Sequence, residues 1–224
     1  ELLAERGVVT FEFPHLLDLV RESQFDTVYH EHFAYFSFTA VCNMLHRSGL
    51  RVFDVEEIEP HGGSLRVFAC LKSAPGHAVS ASVKKLLTKE EQHEMLSMSF
   101  YSSLQERATT IKFNLLKFLL DAKAARQTVA AYGAAAKGNT LLNFSGIRPD
   151  LVPFVADRNP AKQGKFMPGS RIPIVPENVI QEHKPHFILI LPWNLSAEIS
   201  EQLSYTKEWG GQLLTAVPHL QFIN

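Results

Sequence analysis

Between residues 128 and 217 short apolar runs alternate with helical stretches, and that alternation leaves few folds open. Residues 128–132 read as a strand, closed by the small-residue turn Gly133-Ala134-Ala135-Ala136-Lys137-Gly138-Asn139; a helix then starts at Thr140 and ends before Gly146. A second strand over 151–156 ends at Asp157, a short helix follows at 176–182, and a third strand over 187–191 ends at Pro192-Trp193-Asn194. An amphipathic helix over 198–209 and a last strand near 213–217 complete the pattern. Strands joined through helices return to the same end of a sheet and pair in parallel, with helices on both faces. The segment predicts a Rossmann-like, doubly wound α/β domain.

The first third is organised differently. Residues 8–13 form a β-branched and aromatic strand closed by Pro14, and 16–22 a short helix. Residues 38–48 place Phe38, Val41 and Leu45 at helical intervals and stop at Gly49. Two strand candidates, 50–55 and 64–72, read as an antiparallel hairpin with a long connection over 56–63. This order suits the second half of an α/β sheet with an antiparallel edge. Ser73-Ala74-Pro75-Gly76-His77 is a break. A polar, lysine-rich stretch over 80–89 precedes a long helix from about 90 to 126, whose apolar face carries Phe100, Leu104, Ile111, Leu115, Phe118 and Leu119. Three regions are expected: 1–75, a linker with the long helix over 76–127, and 128–224. Residues 1–7 read as a helix end with a glycine stop, so further chain is expected upstream.

Composition excludes some functions. Lys and Arg number 22 against 23 Asp and Glu, so there is no basic field for nucleic acid. No run approaches ~20 apolar residues, so no membrane span is expected. Cys42 and Cys70 lack metal-ligand spacing and suit a reducing, cytoplasmic setting.

Candidate chemistry concentrates in Gln24-Phe25-Asp26-Thr27-Val28-Tyr29-His30-Glu31-His32, where a phenol, two imidazoles and a carboxylate occupy four consecutive positions. Groups that exchange protons near neutral pH shift one another's pKa values when crowded. In a regular strand Tyr29 would share a face with Glu31, and His30 with His32. His61-Gly62-Gly63-Ser64-Leu65-Arg66 offers close backbone approach and a cation for phosphate or carboxylate; a flexible hairpin tip is the other reading. The turn from Gly133 to Gly138 sits where a doubly wound sheet binds phosphates, with Lys137 adding charge and Asp157 placed to hold a ribose hydroxyl. Its pattern is G-A-A-A-K-G, not G-x-G-x-x-G, so a structural turn stays open beside nucleotide or nucleotide-sugar binding. The polar loop carrying Lys162, and Trp193-Asn194 after another strand, would line the same crevice. His30, His32 and His61 are sufficient in type for zinc, but Glu31 would then lie on the wrong face for its usual duties, and no metal is assigned.

Six stretches in order carry a resemblance: Glu12-Phe13-Pro14, Gln24 to His32, His61 to Arg66, Tyr132 to Asn139, Asp157 to Gly164 and Leu191 to Asn194. Together they resemble the S-adenosylmethionine-dependent sugar C-methyltransferases that act on nucleotide-linked keto-deoxysugars. The resemblance implies the C-terminal part of a class I methyltransferase sheet followed by a Rossmann-like domain. It also implies that the S-adenosylmethionine site and a zinc-binding segment precede Glu1, so that this chain alone would be inactive. His32 matches the family's proposed base, which removes the hydrogen beside the keto group to give an enolate. Tyr29 and Glu31 match active-site positions; Tyr29 could donate to the enolate oxygen and Glu31 could fix the imidazole tautomer. A direct contact between Glu31 and His32 conflicts with a regular strand, so an irregular turn is expected there. Substrate contacts are expected from His61, Arg66, Gly133, Lys137, Asn139, Asp157 and Lys162. The alternative is a non-catalytic module that binds a nucleotide or nucleotide-sugar.

Overall fold

The chain's structure, a computed structural model, describes residues 3–59 and 62–223. Contacts divide it into two units, Glu1–Glu22 with Phe33–Leu104, and Ser23–His32 with Gln105–Asn224. The architecture is α/β, with helices against two sheets.

In the first unit β1 (Val8–Pro14) leads into α1 (Leu16–Arg21) and α2 (Phe38–Arg47), then into β2 (Leu50–Ile58) and β3 (Ser64–Leu71). The strands form an antiparallel sheet in the order β1-β3-β2. Its register sets Arg66 directly opposite Glu12 on one side and Glu56 on the other, and Arg66 reaches both, at 3.1 and 3.4 Å. These partners are substantially exposed, so each pair adds no more than about 1 kcal/mol. Phe38 and Val41 of α2 pack with Val55, Leu65 and Val67, and α3 (Ala81–Gln92) adds Val83 and Leu86.

The long helix expected from about 90 to 126 is three pieces: the end of α3, the short α4 (Met98–Ser102) and α5 (Leu104–Ala124). Two causes act. Glu94 takes a left-handed conformation, φ 54°, which no helix continues through. The Ser97 hydroxyl oxygen then accepts from Ser99 N–H, the local alternative that serines offer to a helical ladder. Glu90, expected to begin that helix, lies inside α3 and turns inward. Its carboxylate accepts from Phe38 N–H (2.6 Å), Thr39 N–H (2.8 Å) and the Thr39 hydroxyl (2.6 Å), capping α2 from another helix.

In the second unit α5 is followed by β4 (Val129–Tyr132), α6 (Ala136–Ser145), β5 (Val155–Ala156), β6 (Ile174–Val175), α7 (Asn178–His183), β7 (Phe187–Ile190), α8 (Ser196–Gln202), β8 (Gln212–Thr215) and β9 (Gln221–Ile223). The sheet order is β6-β5-β4-β7-β8-β9, parallel except for β9. Counted from β4 this is the 3-2-1-4-5-6 winding of a Rossmann sheet. The central strands Val-Ala-Ala-Tyr and Phe-Ile-Leu-Ile are buried throughout, because helices cover both faces. Their side chains alternate: Val129, Ala131, Phe187 and Leu189 join the core under α5 and α6, while Ala130, Tyr132, Ile188 and Ile190 join the core with α7 and α8.

Several boundaries move. The strand expected over 151–156 shrinks to Val155–Ala156, because Pro153 has no N–H and Leu151 and Val152 instead bond back to the Arg148 carbonyl. The helix expected over 198–209 is α8 plus a 3-10 turn, Ser204–Trp209. α6 starts at Ala136, not at Thr140, so Lys137, Gly138 and Asn139 lie in its first turn. β6 and β9 have no counterpart among the expected strands. Among the described residues no helix is long and apolar enough to cross a membrane.

Candidate active site

Segment 23–32 packs with the second unit. It turns at Ser23, φ 52°, and forms a 3-10 turn over Phe25–Thr27, against which the Phe144 ring of α6 packs 5.0 Å from Phe25. A second turn closes with His32 N–H donating to the Tyr29 carbonyl at 3.0 Å, so the expected irregular turn is present. It places Tyr29 with His32 rather than with Glu31.

The Tyr29 hydroxyl and His32 Nε2 are 3.0 Å apart, and the two rings are 4.2 Å between centroids. His32 Nδ1 lies 2.9 Å from the Thr27 carbonyl oxygen. A carbonyl only accepts, so Nδ1 carries the hydrogen; in the neutral ring Nε2 then presents its lone pair to the phenol O–H. Thr27, not Glu31, fixes the imidazole tautomer. Glu31 instead lies 3.8 Å from His30, with both side chains largely in solvent.

Tyr29 and His30 line an open cleft of about 260 Å³ with Ala134, Asn139, Lys162 and Met167. The structure thus brings Tyr29, Asn139 and Lys162 to one cleft at the carboxyl ends of β4 and β5. The other expected substrate groups of this unit make contacts inside the fold. Gly133 has φ 88°, and a Cβ there would stand 2.5 Å from Pro192; one on Gly138 would stand 2.6 Å from Leu191. Asp157 accepts from Ala134 N–H at 2.7 Å and Asn159 N–H at 2.8 Å, and Lys162 bridges the Ala134 carbonyl (2.9 Å) and Asp157 (3.3 Å). The carboxylate placed for a ribose hydroxyl therefore ties the turn together. Lys137 is buried, 3.2 Å from Asn194 Oδ1 and 4.3 Å from the Trp193 ring centre. Burial holds its ammonium below the usual lysine range, and the Asp26 charge opposes that.

Asp26 is the residue sequence reasoning passed over. It is fully buried, and its Oδ2 accepts from Trp193 Nε1–H at 2.8 Å across 167 residues of chain. Burial pushes its carboxyl up to about 6, against the Trp193 hydrogen bond and the Lys137 charge. An acid between Phe25 and Thr27 in a motif rich in proton-exchanging groups was the available signal.

In the first unit, Arg66 sits in its ion pairs with Glu12 and Glu56, and His61 lies outside the described residues. A second missed cluster is there: buried His15 bonds Glu90 at 2.8 Å, with Asp18 at 3.6 Å. Among the described residues no group of three or more His, Cys, Asp or Glu is placed to hold a metal ion.

Residues 59–218 match a family model described as C-methyltransferase C-terminal domain. The chain is 35% identical over 223 residues to C-methyltransferase NovU of Streptomyces niveus, an alignment covering 100% of this chain and 53% of NovU. The chain thus spans about half the length of that curated relative.

Proposed function

The chain belongs to the C-methyltransferase C-terminal domain family, and from that premise we propose that it serves a sugar C-methyltransferase, supplying proton transfer at a nucleotide-linked keto-deoxysugar. The observation that carries this reading is the Tyr29–His32 pair, with its tautomer fixed from behind by Thr27.

A keto group acidifies the hydrogen on the neighbouring carbon, and removing it leaves negative charge on the keto oxygen. The reaction needs a base beside one atom and a hydrogen-bond donor beside the other. Tyr29 and His32 share one hydrogen across 3.0 Å. When the phenol turns that hydrogen to the keto oxygen, Nε2 is released to take the proton from carbon. The carbanion equivalent left by that proton transfer is the nucleophile that methyl transfer requires. The cleft that Tyr29 lines, with Asn139 and Lys162 on its wall, is the site offered to the sugar and its nucleotide.

S-adenosylmethionine supplies the methyl group in this reading. The residues present do not fit its adenosyl ribose, since Asp157 is engaged by Ala134, Asn159 and Lys162.

Deuterium exchange into the substrate tests the base directly. In the protein as its gene encodes it, a nucleotide-linked keto-deoxysugar incubated in D2O exchanges the hydrogen beside its keto group. His32→Asn lowers that exchange, and methyl transfer with it, by about 10²- to 10⁴-fold. Near-normal exchange in the folded variant rules His32 out as the base.

A further inference from the structure

In the six-stranded sheet the winding reverses between β4 and β7, and the crevice outside their carboxyl ends is where an open α/β sheet takes its ligand. Trp193 and Asn194 follow β7, and Lys137 lies in the first turn of α6, which follows β4. In place of a ligand, these groups meet the chain's own acid: Trp193 donates its indole N–H to Asp26, and Lys137, held by Asn194 and the Trp193 ring, supplies the nearby positive charge. Asp26 is fully buried, yet its Oδ1 makes no hydrogen bond of full geometry among the described residues, only looser contacts with the backbone N–H groups of Asp26 and Thr27. A carboxylate so placed costs more than an apolar side chain of its size. Core packing alone does not account for it.

One peptide separates Asp26 from the carbonyl that matters. The 3-10 turn is closed by Thr27 N–H and the Thr27 hydroxyl on the Gln24 carbonyl, at 3.0 and 2.5 Å, and by Val28 N–H on the Phe25 carbonyl at 3.1 Å. Held this way, the turn presents the Thr27 carbonyl to His32 Nδ1. We propose that Asp26 and Trp193 are positioning residues: the switch-point crevice grips the segment's own carboxylate where a nucleotide fold grips its ligand, and that grip sets the Thr27 carbonyl that selects the reactive tautomer of His32. If the turn rotates, Nδ1 loses its acceptor, and the tautomer with hydrogen on Nε2 can no longer take a proton there. The catalytic consequence rests on the proton-transfer reading of Tyr29 and His32; the tautomer claim stands on geometry alone.

Nitrogen NMR of the protein labelled with ¹⁵N-histidine separates the two. At a pH where His32 is neutral, the wild-type ring carries its hydrogen on Nδ1. Trp193→Phe keeps an aromatic ring beside Lys137 and removes only the indole donor. It converts His32 to a mixture of tautomers and lowers kcat by about 10²-fold while KM holds. Asp26→Asn, whose amide oxygen still accepts from the indole, keeps the wild-type tautomer. Asp26→Leu removes the grip from the other partner and decides the matter if Trp193→Phe does not fold. A wild-type His32 spectrum in folded Trp193→Phe or Asp26→Leu overturns the proposal. A redistributed spectrum in a folded variant whose kcat is unchanged supports the positioning role and refutes the proton-transfer reading instead.

Discussion

A buried acid whose carboxyl is pushed up to about 6 makes the fold's stability depend on pH in a direction opposite to most acids. The folded state of Asp26 holds its proton more tightly than the unfolded chain, where the value is 3.8. Stability associated with Asp26 is therefore greatest below 3.8 and is lost as pH rises through about 6. Asp26→Asn removes that titration and nothing else of similar size at the site. The stability of the variant relative to wild type should rise between pH 3.8 and 6 by up to about 3 kcal/mol and stay level above that. Urea denaturation of both proteins at pH 4, 5, 6 and 7.5 measures the difference; a flat difference curve means Asp26 is not the buried titrating group. At this scale part of the candidate site was legible. Tyr29, His32, Asn139 and Lys162 announce themselves by residue type and neighbours. Asp26 and Thr27 did not, because what gives each its role is a partner fixed by folding: Trp193 far along the chain for one, an imidazole met across a turn for the other.

Elements are held by individual side chains in the same way, and α2 is the clearest case. Its N-terminal N–H groups are capped by Glu90 from α3, which also bonds buried His15. Burial alone would raise the Glu90 pKa, but its bonds to His15, Thr39 and Phe38 prevail and lower it. Burial likewise works against the His15 charge, yet contact with Asp18 and Glu90 raises its pKa. The Glu90 contribution is present above its unfolded value of 4.5 and is lost as pH falls through its lower folded value. The His15 contribution is full below 6.5 and is lost as pH rises through its higher folded value. Glu90→Ala breaks a buried pair and uncaps α2, and should cost about 3–5 kcal/mol. The milder Glu90→Gln should show its largest deficit between pH 4.5 and 6.5, measured by denaturation with circular dichroism. A Glu90→Gln deficit independent of pH would assign Glu90 to shape alone. Sequence patterning hid this role: a glutamate in a charged run reads as solvated, and the inward turn depends on a helix start 52 residues earlier, at Phe38. The central strands were plain because unbroken apolar runs such as Phe187–Ile190 have few alternatives, whereas Ile174–Val175 is too short to carry a period.

For the molecule as a whole, segment 23–32 raises the question of which core sustains it. It lies in sequence between two parts of the first unit, but it packs with the second. Its amides are closed by local bonds: Thr27 N–H to the Gln24 carbonyl, Val28 N–H to the Phe25 carbonyl, His32 N–H to the Tyr29 carbonyl. Short turns of this kind do not persist alone, so their protection reports the unit they are packed on. Leu115 and Leu65 are both fully buried, one in the second unit's core and one in the first's. Each truncation to alanine costs about 2–5 kcal/mol locally. If the second unit holds the segment, Leu115→Ala should speed hydrogen exchange at Thr27, Val28 and His32 by about the factor it gives the β4 amides. Leu65→Ala should leave those three amides near their wild-type rates while accelerating β3. Equal acceleration by both truncations would mean the units open as one cooperative body. The order of Tyr29 and His32 would then follow the stability of the whole chain rather than that of the second unit alone.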